Sequence, residues 1–181
     1  MSNKKVLVVE DRPDYLKTAE GIENVECVSC FMDALSVLRS DSENIQALLT
    51  DVHIPYKTVT PEMRNFMTPE TIEWYTKPEA LGVPLFLEAI VRKIPLIGIV
   101  TENSHHEGSF PAYIEDGIQG MFDNITYSHG RTYGNILESF VGCITRASER
   151  FGGRSNKNYS EVLKTMNEMY EKLKQWGRND W

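Results

Sequence analysis

Ile45-Gln46-Ala47-Leu48-Leu49-Thr50-Asp51 is an apolar run that closes on a carboxylate. With so little polar interruption it reads as a strand buried on both faces, the kind that parallel sheets are made of. The same pattern stands upstream, where Val6-Leu7-Val8-Val9 ends on Glu10-Asp11, and downstream, where Leu96-Ile97-Gly98-Ile99-Val100 ends on Thr101. Between these runs the spacing changes. Pro13 to about Ile22, Met32 to Leu38 and Leu81 to Lys93 read as helices; the last sets Leu81, Leu85, Ala89 and Ile90 on one stripe, widened by Phe86, and Pro95 stops it. Val25 to Val28 suits another strand and Ile118 to Phe122 a fifth, with Tyr113 to Asp116 closing a short helix before Gly117. Asn135 to Phe151 reads as an amphipathic helix. Strands alternating with helices predict an α/β fold with a doubly wound, five-stranded parallel sheet.

Two segments lie outside that pattern. From Tyr56 to about Ala80 the chain carries Pro61, Pro69 and Pro78 with Phe66, Trp74 and Tyr75, no strand period, and one short helix over about Pro69 to Tyr75. This is an insertion after the third strand, placed beside the strand ends. After Gly152-Gly153 a polar linker leads to Tyr159–Trp176, where Val162, Leu163, Met166, Met169, Tyr170 and Leu173 recur at helical spacing, with Ser160 as N-cap. Residues 1–151 therefore read as one domain, and 152–181 as a linker and an extra C-terminal helix. That helix either packs back on the domain or pairs with a second copy as a homodimer. The piece from about 154 onward is too short for a helix-turn-helix output domain.

The 181 residues are 41% hydrophobic and 25% charged, which is ordinary for a globular domain with a sizeable core. A net charge of −7 argues against nucleic-acid binding through a basic surface. The one basic cluster, Arg146, Arg150, Arg154 and Lys157, reads as a solvated helix end and linker. No apolar stretch is long enough to span a membrane, and the run after Lys4-Lys5 is too short for a signal-peptide core, so a cytoplasmic location is expected. Cys27 and Cys30 form a C-x-x-C without a second ligand pair and read as ordinary thiols around a strand end. His105 and His106, with Glu102 and Glu107, read as a solvated loop rather than a metal site.

The polar strand ends carry the chemistry. In open α/β sheets ligands bind at the carboxyl edge, where Glu10, Asp11, Asp51 and Thr101 converge. Three carboxylates in one crevice repel one another unless a cation neutralises them, and hard oxygen donors favour Mg²⁺. One carboxylate can then attack phosphorus while a threonine hydroxyl bonds a phosphoryl oxygen.

The motifs at these ends resemble those of response-regulator receiver domains. Val6-Leu7-Val8-Val9-Glu10-Asp11-Arg12-Pro13 is similar to their first strand and acidic pair, and Leu48-Leu49-Thr50-Asp51-Val52-His53-Ile54-Pro55 to their phosphorylation strand. Pro95 to Thr101 is similar to their fourth strand, and Gly82 to Lys93 to the helix before it. The resemblance implies a flavodoxin-like strand order of 2-1-3-4-5. By position it makes Asp51 the phosphoacceptor and Thr101 the phosphoryl contact, with Mg²⁺ held by Glu10, Asp11, Asp51 and the backbone carbonyl of His53. It implies a histidine kinase or phosphotransfer protein as donor and a downstream protein as target, in a phosphoacceptor rather than an enzyme.

One departure opens an alternative. The family carries a lysine at the end of its fifth strand, and if that strand is Ile118 to Phe122, Asn124 takes the lysine's place and Met121 the place of its aromatic switch residue. A pseudo-receiver that binds partners without phosphorylation would follow. A third reading, a Mg²⁺-dependent phosphatase-like hydrolase using Asp51, is disfavoured because no Asp-x-Asp follows a strand.

Overall fold

A computed structural model describes residues 4–101, 126–128, 131–136, 139–144 and 157–176. The elements in chain order are β1 (Lys5–Val9), α1 (Pro13–Leu16, prolonged by a 3-10 turn over Lys17–Ala19), β2 (Val25–Val28), α2 (Phe31–Asp41), β3 (Ile45–Asp51), β4 (Ile54–Pro55), α3 (Pro61–Arg64), α4 (Pro69–Thr76), β5 (Pro78–Glu79), α5 (Gly82–Val91), β6 (Leu96–Val100), β7 (Thr126–Ser128), β8 (Arg131–Ile136), β9 (Ser139–Ile144) and α6 (Tyr159–Trp176). The large sheet runs β2-β1-β3-β6-β9-β8-β7. Its first five strands are parallel, in the expected 2-1-3-4-5 order, and β8 and β7 extend it antiparallel beyond β9.

The β-branched and leucine-rich runs bury both faces, as a parallel sheet requires. Leu7, Val9, Leu48, Ile97 and Ile99 pack on one face against Ala34 and Leu38 of α2 and Leu85, Phe86, Ala89 and Ile90 of α5. On the other, Val6, Val8, Ala47, Leu49, Leu96 and Phe140 meet Tyr15 and Ala19 of the first helical segment and Tyr159, Val162, Met166 and Met169 of α6. The C-terminal helix therefore packs back on its own domain. Gly98 makes room for it, since a Cβ there would stand 2.7 Å from a Leu49 methyl and 2.9 Å from the Met166 sulfur.

The fifth parallel strand is not where the sequence pattern put it. Ile118–Phe122 and the short helix over Tyr113–Asp116 lie outside the described residues, and the parallel neighbour of β6 is β9. The segment read as a helix from Asn135 is instead the β8–β9 hairpin as far as Ile144. Phe140, Val141 and Gly142 are buried between neighbours on both sides, and such a β-rich stretch is strand when its backbone has ladders to join, whatever its helical periodicity. The N-cap of α6 also moves: Asn158 Oδ1 accepts the Glu161 N–H at 3.1 Å, while the Ser160 hydroxyl donates to the Thr18 carbonyl at 2.6 Å.

The insertion closes on itself. Ile54 pairs with Glu79 and Pro55 with Pro78, and Thr60 and Thr68 cap α3 and α4, each followed by proline at the first helical position. Tyr56 stacks on Phe31 of α2 at 6.0 Å and meets Trp74 and Tyr75 at 5.2 and 5.6 Å. These aromatics pin the excursion to the start of α2, where Met32 N–H also donates to the Tyr56 carbonyl at 3.1 Å. Phe66, by contrast, is 90% exposed.

Helix α5 ends in a Schellman motif. Ile94 N–H donates to the Ala89 carbonyl at 3.0 Å and Lys93 N–H to that of Ile90 at 2.9 Å, with Lys93 at φ 57° and Ile94 buried. A side chain in the left-handed region costs about 1 kcal/mol relative to glycine. Lys93→Gly is therefore expected to stabilise the chain by up to about 1 kcal/mol in a urea titration, with no change in slope.

Candidate functional site

Strand parity decides which way the acids point. Val6 and Val8, like Ala47 and Leu49, face the core beneath α1 and α6. With a period of two, Glu10 and Asp51 continue those sets. Register puts Val9 beside Thr50 and Asp51 beside Val100, so Glu10, Asp51 and Thr101 stand on three adjacent strand ends. Glu10, Asp51 and Thr101 are buried, and Asp11 and His53 are half-buried just past their strands. Oxygen atoms of Glu10, Asp11 and Asp51 all lie within 4.8 Å of one another.

Lys157 sits among them. Its ammonium lies 2.8 Å from Glu10 Oε2 and 2.5 Å from Asp51 Oδ2, and its side chain is only 3% exposed. The same ammonium lies 5.2 Å from the centre of the Tyr15 ring, which Arg12 covers at 4.3 Å. Backbone groups complete the cradle: Arg12 N–H donates to Glu10 Oε1 at 3.2 Å and Val52 N–H to Asp51 Oδ1 at 2.6 Å. Glu10 Oε2 also accepts the Tyr159 hydroxyl at 2.9 Å.

One ammonium against three carboxylates leaves the crevice negative. Burial pushes the Asp11 carboxyl up to about 6, helped by its hydrogen bond to Glu10 and the charges of Glu10 and Asp51. Burial likewise raises Asp51; Lys157 opposes the rise and Glu10 adds to it. The Tyr159 phenol is held well above its usual range by burial first, then by Glu10 and Asp51. Hard oxygen donors with excess negative charge are a donor set that fits a divalent cation such as Mg²⁺.

Gly82 fixes the approach of α5 to this edge. A Cβ there would lie 1.9 Å from the Asp51 carbonyl oxygen and 3.0 Å from Val52 Cα, and Gly82 N–H donates to the Val52 carbonyl at 3.0 Å. Gly82 is thus a backbone-to-backbone contact directly behind the end of β3.

Strand order, acid cluster and buried lysine now stand together. The chain has a doubly wound α/β fold whose parallel strands follow the flavodoxin-like order 2-1-3-4-5. No protein-family description and no curated protein matches it. Among solved structures it is similar to a response regulator receiver domain protein from Clostridium thermocellum, at 12% identity and TM-score 0.43, over 94% of this chain and 98% of that one. It is also similar to the Salmonella typhimurium RcsB response regulator, at 14% identity and TM-score 0.44, over 92% of this chain and 60% of that one.

Sequence reasoning missed Lys157 and Tyr159. In the sequence Lys157 belongs to a basic tail that reads as solvated, and counting from a strand at Ile118–Phe122 puts Asn124 in the lysine's place. Asn124 lies outside the described residues, and with β9 as the fifth strand that count has no footing. The available signal was order along the chain: Lys157 directly precedes the last amphipathic helix. His105 and His106 also lie outside the described residues, and Cys27 and Cys30 are free thiols, one exposed and one buried.

Two outcomes are expected. Gly82→Ala forces α5 and β3 apart and is expected to cost about 3 kcal/mol, read as a lowered urea midpoint. The raised Asp11 carboxyl opposes folding only when ionised. Its penalty is absent below about pH 4, where the unfolded group is also protonated, and complete above about 6. Without divalent cations, stability therefore falls as pH rises through that window, and Asp11→Asn flattens part of the slope; an unchanged slope would refute the assignment.

Proposed function

We propose that this chain is a receiver-type signalling protein in which Asp51 accepts a phosphoryl group beside a bound Mg²⁺. The observation that carries the reading is the buried Lys157 ammonium on both Asp51 and Glu10, at the sheet edge where open α/β folds bind ligands. A phosphoryl group on Asp51 adds negative charge next to two carboxylates, and only cations make that tolerable. Lys157 offers a charge-assisted hydrogen bond to its oxygens. Glu10, Asp11, Asp51 and the backbone carbonyl of His53 would hold the metal, whose charge screens the repulsion between the acceptor and the incoming phosphoryl oxygens. The Thr101 hydroxyl, buried at the next strand end, is the second phosphoryl contact.

The Asp51 carboxylate is the nucleophile. It forms the new P–O bond while the donor's bond to phosphorus breaks, and the leaving group keeps that electron pair and takes up a proton. The donor is a histidine kinase or phosphotransfer protein, and the output is contact with a downstream protein in the cytoplasm. No helix among the described residues is long and apolar enough to cross a membrane. The pseudo-receiver reading drew on a missing lysine and on the insertion; Lys157 favours phosphorylation over it by offering a cation from a different segment.

The test is incubation with Mg²⁺ and acetyl phosphate, or with beryllofluoride, followed by intact mass and thermal midpoint. One adduct is expected, absent in Asp51→Asn and formed about a hundredfold more slowly in Lys157→Met. Mg²⁺ alone is expected to raise the midpoint of the wild type, and less so that of Asp11→Asn. No adduct from either reagent, with no midpoint shift, would sink the reading.

A further inference from the structure

Tyr159 lies wholly in the interior, two residues beyond Lys157, at the first turn of α6. Its two ends are held by different parts of the molecule. The backbone N–H donates to Thr18 Oγ1 at 2.9 Å, and Ser160 donates to the Thr18 carbonyl at 2.6 Å. The Thr18 hydroxyl lies 2.7 Å from the Tyr15 carbonyl and 3.1 Å from that of Lys157. One threonine therefore ties the Lys157–Ser160 backbone to the first helical segment. The phenol reaches past it to Glu10 Oε2, the same oxygen that Lys157 binds.

Glu10 is consequently fixed on both oxygens. Oε1 takes the Arg12 N–H, and Oε2 takes one neutral and one charged donor. A carboxylate with its lone pairs so engaged has one orientation, and so has the ammonium it shares with Asp51. An apolar group in place of the phenol oxygen would remove the neutral donor from Glu10 Oε2 and allow the Glu10–Lys157 pair to turn. Such a polar contact inside a packed core is costly unless satisfied, which is a reason to look for a role beyond packing.

From this geometry we propose that Tyr159 is a positioning residue: through Glu10 it holds the Lys157 ammonium against Asp51. The inference deepens the receiver reading and rests on it for the effect on phosphorylation, but not for the coupling itself. The phenol's hydrogen bond goes to Glu10 Oε2. Tyr159 sets where the cation waits, and its place at the start of α6 joins that cation to the docking of the helix.

The experiment uses the full chain. Tyr159→Phe keeps the ring in its core and removes one hydroxyl; Val162→Ala, in the same core, is the packing control. Thermal midpoints are taken for Tyr159→Phe, Lys157→Met and the double variant, together with the Mg²⁺ dissociation constant by calorimetry and the Asp51 adduct rate with acetyl phosphate at saturating Mg²⁺. Expected is an adduct rate about tenfold lower in Tyr159→Phe, the worth of one hydrogen bond to a charged group. Its Mg²⁺ affinity is measured beside the rate, and rates are compared at saturating Mg²⁺, so that a weakened Glu10 ligand is told apart from a displaced lysine. The midpoint loss from Tyr159→Phe shrinks by about half or more once Lys157 is gone.

Additive midpoint losses would overturn the proposal, because the phenol would then act independently of the lysine. A Val162→Ala rate as low as that of Tyr159→Phe would overturn it too, since any loosened core would do the same. So would an unchanged adduct rate in Tyr159→Phe. A wild type that forms no adduct defeats the receiver reading instead, and the thermal cycle alone then decides whether Tyr159 positions Lys157.

Discussion

Three carboxylates share one half-buried crevice with a single buried ammonium, and most of the molecule is arranged around that imbalance. Removing a carboxylate from water is expensive, and a buried ion pair recovers the loss only when its geometry is good and its remaining lone pairs are bonded. Here Glu10 and Asp51 each have one oxygen on a backbone N–H and the other on Lys157. The pair spans nearly the whole sequence, from the end of the first strand to the entry of the last helix. Removing one partner of such a pair leaves the other charge buried and uncompensated.

The backbone geometry behind the site follows from two glycines. At Gly82 helix α5 comes so close to the Asp51 carbonyl that no side chain fits between them, which fixes the end of β3 from the α5 face. At Gly98 the missing side chain lets Met166 lie flat on β6, which sets the height of α6 on the opposite face. The acid edge is thus held between two helices whose distances are set by what the sequence omits. Close packing of this kind resists small shifts.

Two additions distinguish the chain from a bare five-stranded domain. The β8–β7 hairpin pairs antiparallel outside β9, so the fifth parallel strand is interior to the sheet and has ladder partners on both sides. The excursion between β4 and β5 is ordered by its own turn chemistry, threonine caps followed by proline, and by an aromatic cluster that includes Phe31 of α2. It therefore sits beside the site as a built element, anchored at its ends and through Tyr56.

The sequence by itself determined the local matters: the buried strands β1, β3 and β6, the helices α1, α2 and α5, the helix over 159–176, and the acids at the strand ends. Each is a short-range pattern, an apolar run, a stripe or a stop, and such patterns survive without knowledge of neighbours. Only the tertiary structure decided the identity of the fifth strand and the source of the cation. Phe140 to Ile144 carries no local signal that separates strand from helix until β6 and β8 lie on either side of it. Lys157 reads as a solvated charge in any window of sequence, because what buries it is Glu10 and Asp51, more than a hundred residues away along the chain. The Asp51 site opened as three acids awaiting a cation, and folding supplies the first one from the chain itself.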